Sequence, residues 1–343
     1  MKLIETQKAV GHILCHDITQ IIPGVTKDAV FRKGHVVTPE DIPVLLSVGK
    51  EHLYVWEADE NSLHENEAAQ ILFDLCKNDH IAPTPVKEGK IECIAQIDGL
   101  LKVDVPRLTA VNMVPEVMIA TRHTNYPVRK GDKLAGTRVI PLVISKARME
   151  EAKAAAGDRP LLALLPYQRK RVGIVTTGSE VYHGRIQDAF GPVLRKKLAF
   201  YGAEVLGQAI VDDDVEMIRG AIQGFLDQGA ELVVCSGGMS VDPDDLTPTA
   251  IQAVGGEIVS YGAPVLPGAM FLLSYTGEDV PVLGLPGCVM YHDATIFDLV
   301  LPRIMAGERL AKGDLAVLGH GGLCLQCPDC RYPDCGFGKG GVL

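Results

Sequence analysis

VVCSGGMSVDPDD (residues 233–245) is the stretch on which the fold turns. Residues 232–235 are apolar or small and read as the end of a buried strand. Gly237 and Gly238 follow; they tolerate positive φ and carry no Cβ, so a ligand can approach the backbone closely. Their amides, with Ser236 and Ser240, offer a cradle for an anion. Asp242, Asp244 and Asp245 stand just behind. They would repel a bare phosphate, and they make sense if a divalent cation, or a group needing a base, sits between. The plainer alternative is a tight strand-to-helix turn whose acidic first turn suits the helix dipole.

From residue 170 onward, strand-like and helix-like runs alternate, the pattern of a parallel sheet covered by helices on both faces. Strands are expected at 172–175, 204–211, 232–235, 257–265, 271–275 and 281–285. Helices are expected from Gly191 to Gly202, from the capping pair Asp213 and Glu216 to Gly229, over 247–254, and over 288–305. In an open parallel sheet the carboxyl ends of the strands border one crevice. Three turns would then converge: Thr176, Thr177, Gly178, Ser179 and Glu180; Ser236 through Met239 to Asp245; and Leu285, Pro286, Gly287 and Cys288. Cys288 would open a helix at the rim, either as a thiol of lowered pKa or as a structural residue.

Upstream, residues 1–82 read as a small α/β unit, with a helix starting at Thr38-Pro39-Glu40, a strand over 53–56 and a helix over 62–76. His52 and His64 read as surface residues. Residues 83–157 read as a β-rich domain that ends in a helical linker over 147–156. The α/β domain then occupies 158–312 and a cysteine-rich tail 313–343.

At 343 residues, 47% hydrophobic and 22% charged, the chain is globular and long enough for several domains. Its formal net charge of -10 argues against nucleic acid or an anionic membrane as partner. No apolar run approaches the roughly 20 residues of a membrane span, and no signal peptide is evident, so a cytoplasmic protein is expected. There the nine cysteines should be thiols or metal ligands. Cys15, Cys76, Cys93 and Cys235 read as small core residues. In the tail, Cys324, Cys327, Cys330 and Cys335 follow the spacing C-x2-C-x2-C-x4-C. Thiolate softness favours zinc or an iron–sulfur cluster there; four unligated cysteines are the alternative.

Five separated motifs, GIVTTGSE (173–180), IVDDD (210–214), CSGGMSVDPDDLTP (235–248), LPGAM (266–270) and GLPG (284–287), resemble molybdopterin-binding domains in content and order. Such domains are shared by the molybdopterin adenylyltransferases and molybdenumtransferases. AVGHILCHDIT (9–19) and residues 32–56 resemble the molybdenumtransferases more weakly. The resemblance implies a three-layer α/β fold and a site for molybdopterin or adenylyl-molybdopterin. Ser236, Gly237, Gly238 and Ser240 would hold the phosphate-bearing ligand, with Pro267, Gly268, Pro286 and Gly287 in the accompanying motifs. Glu180, Asp213 and Asp245 would surround Mg2+ and molybdate. It also implies a homo-oligomer, and a molybdoenzyme client as a conceivable partner.

Three features depart from the family. No Asp-Gly-Tyr-Ala string occurs, Leu266 and Ala269 stand where lysines flank Pro-Gly, and Cys288 stands in place of Asn. The departures weaken the case for the same chemistry, but the carboxylate cluster keeps insertion of molybdate as the first expectation. The alternatives are adenylyl transfer, or a non-catalytic carrier or sensor of the cofactor, which the missing lysines would favour.

Overall fold

The computed structural model describes residues 2–22, 26–55 and 61–340. The chain divides into two compact units. One comprises Met1–Gln96, Val103–Arg122 and Gly131–Ala163; the other comprises Ile97–Lys102, His123–Lys130 and Leu164–Leu343.

In the first unit, Lys2–Glu5 pairs antiparallel with His52–Val55 beside a core of Leu14, Ile18, Leu45, Leu53 and Val55. Trp56, expected to end that strand, lies outside the described residues. Ser62–His64 is a strand paired with Val143–Ser145, so the helix begins at Glu65 and runs to Cys76. His64 sets that boundary. Its Nδ1 accepts the Asn66 amide at 3.2 Å, while the Glu67 carboxylate accepts the His64 amide at 2.9 Å. With Nε2 2.8 Å from the Cys15 carbonyl, His64 is buried, contrary to the surface position expected. Ile81–Pro83, Lys90–Ala95, Lys133–Val139 and Val117–Thr121 form a four-stranded antiparallel sheet in that order. A helix not expected from the sequence, Val105–Asn112, is capped by Asp104, whose carboxylate accepts the Arg107 amide at 3.2 Å. The Lys146–Ala156 helix buries Met149, Ala152 and Ala156, so it is a packed element of this unit.

The second unit is built on six strands: β1 (Arg171–Thr177), β2 (Glu204–Val211), β3 (Leu232–Ser236), β4 (Glu257–Tyr261), β5 (Leu272–Tyr275) and β6 (Pro281–Leu285). Their order is β2-β1-β3-β6-β5-β4. The first four are parallel; β5 and β4 are antiparallel additions. The sheet is thus mixed where a parallel one was expected. The cause is chain length: residues 276–280, with Asp279 at φ +63°, join β5 to β6, and a parallel crossover needs roughly a dozen residues or more.

Helices α1 (Phe190–Phe200), α2 (Val215–Asp227), α3 (Thr247–Ala253) and α4 (Ile296–Met305) cover the two faces. Alternate residues of a strand face opposite sides. Val172, Ile174, Val234 and Leu283 accordingly pack with Leu194 and Leu198 of α1 and Ile296 and Phe297 of α4. Val175, Val233, Cys235 and Val282 pack with Ile218, Ile222 and Phe225 of α2 and Ile251 of α3. Each fully buried side chain of this size contributes about 1.5–3 kcal/mol. Gly173 lets α2 approach: a Cβ there would lie 2.4 Å from the Phe225 ring. This three-layer α/β/α arrangement matches the fold expected for this region.

Two helix starts differ from expectation. Asp214, not Asp213, caps α2, accepting the Met217 amide at 2.8 Å. Helix α4 starts at the Thr295/Asp298 capping box, and Cys288 lies in a short 3-10 turn, Gly287–Met290.

Candidate functional site at the carboxyl edge of the sheet

Strand register decides whether the predicted turns meet. Thr176 is opposite Ser236, Ser236 is opposite Leu285, and Thr177 is opposite Val211. Four parallel strands therefore end in one row. The turns they release are Gly178–Glu180, Asp212–Asp214, Gly237–Asp245 and Pro286–Cys288, all on the same edge.

Beneath the edge lies a polar network. Thr176 and Ser236 are buried with their hydroxyl oxygens 3.3 Å apart. Gln208 Nε2 donates to Thr176 Oγ1 at 3.0 Å and to the Asp188 carboxylate at 2.7 Å. The Thr176 and Ser236 hydroxyls are thus committed to the scaffold. Thr177 Oγ1 lies 3.2 Å from Thr247 Oγ1, which donates to the Gly237 carbonyl at 2.9 Å. Thr247 was missed in the sequence; its signal was a threonine opening a helix just before Pro248. Replacing it with Val should cost about 1–2 kcal/mol, because the Gly237 carbonyl and the Thr177 hydroxyl would lose a partner. A shift of the urea midpoint measures this.

The turn itself requires its glycines. Gly237 and Gly238 stand at φ +89° and +56°. A Cβ on Gly238 would lie 2.8 Å from Thr247 Oγ1. Among the described residues, the amides of Gly238, Met239 and Ser240 find no internal acceptor, leaving three consecutive donors for a ligand. The Met239 side chain is buried against Gly284, so only its backbone can serve a ligand. Ser240 and Asp242 are exposed, and Tyr261 donates its hydroxyl to the Met239 and Ser240 carbonyls at 3.1 and 3.3 Å, bracing the turn.

The acids gather beside it. Asp213 accepts the Ser179 amide at 2.8 Å. Burial raises its pKa above the ordinary aspartate value; the Ser179 amide opposes this, while the charges of Glu180, Asp212 and Asp245 add to it. Asp245 also helps raise the pKa of Tyr261, where burial is again the larger cause. Glu180 folds back toward Gly178, whose Cβ would lie 3.6 Å from that carboxylate. His183 was missed by the sequence and sits at the rim, with Nε2 3.9 Å from Asp212.

A pH prediction follows for the metal-free protein. A carboxyl whose folded pKa is raised loses stabilisation as pH climbs from its unfolded value through its folded value. Asp213→Asn should therefore raise the melting temperature at pH 7, and the gain should shrink as the pH falls toward and below the ordinary aspartate value of 3.8. Paired thermal melts across that pH range check this.

The remaining predicted residues are placed as follows. Cys288 is half-buried, and burial pushes its thiol pKa up, contrary to the lowered value expected at a helix start. A 3-10 turn does not supply the N-terminal field of a long helix. Pro267 and Gly268 are buried beside the start of α4, where a Cβ on Gly268 would lie 2.4 Å from Ile296. Leu266 is exposed and apolar. Cys324, Cys327, Cys330 and Cys335 line one cavity of about 460 Å³ in the tail. Among the described residues no three His, Cys, Asp or Glu side chains already stand in an arrangement that could hold a metal ion. No described helix is long and apolar enough to cross a membrane.

Comparison with known proteins bears on the α/β domain as a whole. Residues 173–306 match the family described as "Probable molybdopterin binding domain", and residues 3–57 match a domain of unknown function, DUF8806. The molybdopterin molybdenumtransferase of Synechococcus elongatus is 27% identical over 237 residues, covering 66% of this chain and 55% of that protein. A CinA-like protein of Mycobacterium avium is 39% identical over 90 residues, covering 26% of this chain and 21% of that protein. The chain thus spans about half the length of the first relative and a fifth of the second. Among solved structures, the molybdopterin biosynthesis enzyme MoaB of Thermus thermophilus is 24% identical with a TM-score of 0.35, covering 40% of this chain and 98% of its own.

Proposed function

We propose that the carboxyl edge of the sheet binds the phosphate of molybdopterin or adenylyl-molybdopterin, and that the chain inserts molybdate into the pterin dithiolene during molybdenum cofactor biosynthesis. The observation that supports this reading is the single row of strand ends, from which the Gly237–Gly238 turn and the segments bearing Glu180, Asp213 and Asp245 leave on the same edge.

The amides of residues 238–240 receive the phosphate, and the Ser240 hydroxyl adds a donor. Asp213, Asp245 and Asp242 suit Mg2+, which ordinarily takes only one or two carboxylates and completes its shell with water and substrate phosphate. The repulsion that Glu180, Asp212 and Asp245 exert on Asp213 in the bare protein fits a cation-binding role. Bound there, Mg2+ would polarise a phosphoanhydride. Asp213, through the Ser179 amide, fixes the Gly178 turn against the crevice. Pro286 and Gly287 form the neighbouring wall. The tail cysteines are not needed for this chemistry. Cytoplasmic placement and a homo-oligomeric state belong to the same proposal.

The test is to incubate the full chain, without oxygen, with adenylyl-molybdopterin, molybdate and Mg2+. AMP release that requires both molybdate and Mg2+ is expected. Pterin binding without AMP release would instead identify a carrier, the reading favoured by the apolar Leu266 and by Ala269. AMP loading from ATP would identify an adenylyltransferase.

A further inference from the structure

The cysteine tail lies outside the crevice and is unexplained by it. No helix forms over residues 322–340, whose glycines and prolines supply little core of their own. The segment is pinned at a few points. Leu266 donates its amide to the Gly322 carbonyl, and Cys324 donates its own to the Leu266 carbonyl, both at 2.8 Å. Tyr332 donates its hydroxyl to the Asp298 carbonyl at 2.8 Å, and Phe337 is buried. Between these anchors the tail forms most of the wall of a cavity of about 460 Å³, with residues 291–294 completing it, and all four tail thiols line it.

A second observation concerns the first cysteine. Gln326 holds the left-handed conformation, φ +49°, and its amide donates to Cys324 Sγ at 3.5 Å. A non-glycine residue adopts that conformation only where its surroundings require it. A thiol sulfur is a weak acceptor. The same amide can keep its contact when that sulfur becomes a metal ligand, as outer-shell donors to ligating groups do. Arg331 also lines the cavity and would offset negative charge gathered there.

We propose that Cys324, Cys327, Cys330 and Cys335 close together on one thiophilic metal centre, a zinc ion or an iron–sulfur cluster. With Zn2+, four S–H bonds break, four Zn–S bonds form and four protons leave to solvent. With iron, the same thiolates ligate a four-iron cluster assembled from two Fe2+, two Fe3+ and four sulfides, a mixture that carries the cluster's own valence and needs no further oxidant; four Fe–S(Cys) bonds form and the four thiol protons leave to solvent. The thiols are not gathered at ligand distance beforehand, as expected where metal binding and local folding are coupled. Closure tightens the Gly322–Leu266–Cys324 backbone bonds, so the tail and residue 266 become ordered together.

The full chain is purified without oxygen, stripped by chelator under reductant, freed of both, and offered Zn2+ alone or equal amounts of Fe2+ and Fe3+ with sulfide. One centre per chain is expected, with loss of reactivity of these thiols and slower amide exchange at Leu266 and Cys324. Visible charge-transfer absorption marks a cluster; its absence with stoichiometric zinc marks the ion. Cys327→Ser with Cys330→Ser should weaken loading by about 100-fold or more, since lost outer-shell partners alone cost 10–100-fold. The proposal is overturned if neither arm loads the chain and the thiols stay reactive, or if the double variant loads as tightly as the natural chain. Neither outcome depends on pterin binding.

Discussion

Gly237→Ala should destabilise the α/β unit by about 3 kcal/mol or more and abolish pterin binding. Gly237 stands at φ +89°, and a Cβ there would lie 2.2 Å from the Thr177 carbonyl oxygen and 2.8 Å from Thr177 Oγ1. Neither atom can yield easily. Thr177 ends β1 and is buried, and its hydroxyl is held by Thr247. Moving the turn instead breaks the Thr247–Gly237 bond and tilts the free amides out of their row. Gly277→Ala is the control, since a Cβ there meets nothing within 4 Å and its φ is not positive. That change should stay within about 0.5 kcal/mol. Urea unfolding of the two variants gives the comparison, and similar midpoints would remove the claim that this turn is conformationally fixed.

Asp245→Asn should lower the rate of AMP release by about 100-fold or more while leaving the fold and pterin binding in place. The loop around it is held by backbone: the Asp245 amide donates to the Asp242 carbonyl at 3.0 Å, and the asparagine keeps that bond. What it loses is one charge of the group that acts on Asp213. A rate deficit partly restored by raised Mg2+, with unchanged pterin affinity, is the expected signature. Normal AMP release and metal insertion by this variant would take Asp245 out of the mechanism.

Much of the α/β unit was legible because its signals are local. Val233, Val234 and Cys235 are buried on both faces of the sheet, so they read as a continuous apolar run. The glycines that end helices and turns, Gly202 and Gly229 among them, stand at positive φ. What escaped reading depended on partners distant in sequence. That Asp213 holds the Ser179 amide rather than capping α2 depends on the pairing of β1 with β2. His64 looked like a surface residue until its contact with the Cys15 carbonyl, 49 positions away, was visible. The antiparallel edge was legible in principle, since 276–280 is too short for a crossover. The start of α4 was missed because Gly-Cys at 287–288 drew the boundary ahead of the Thr295-x-x-Asp298 box. For the site, the sequence named the acids and the glycine turn, whereas the scaffold roles of Thr176, Ser236 and Met239 emerged only from their burial.

The most direct measurement is the equilibrium binding of molybdopterin and of its dephosphorylated form to the full chain, without oxygen. A phosphate seated on the amides of residues 238–240 predicts that the dephosphorylated pterin binds about 30-fold more weakly or worse, some 2 kcal/mol. Equal affinity for the two forms would contradict a phosphate site at this edge of the sheet.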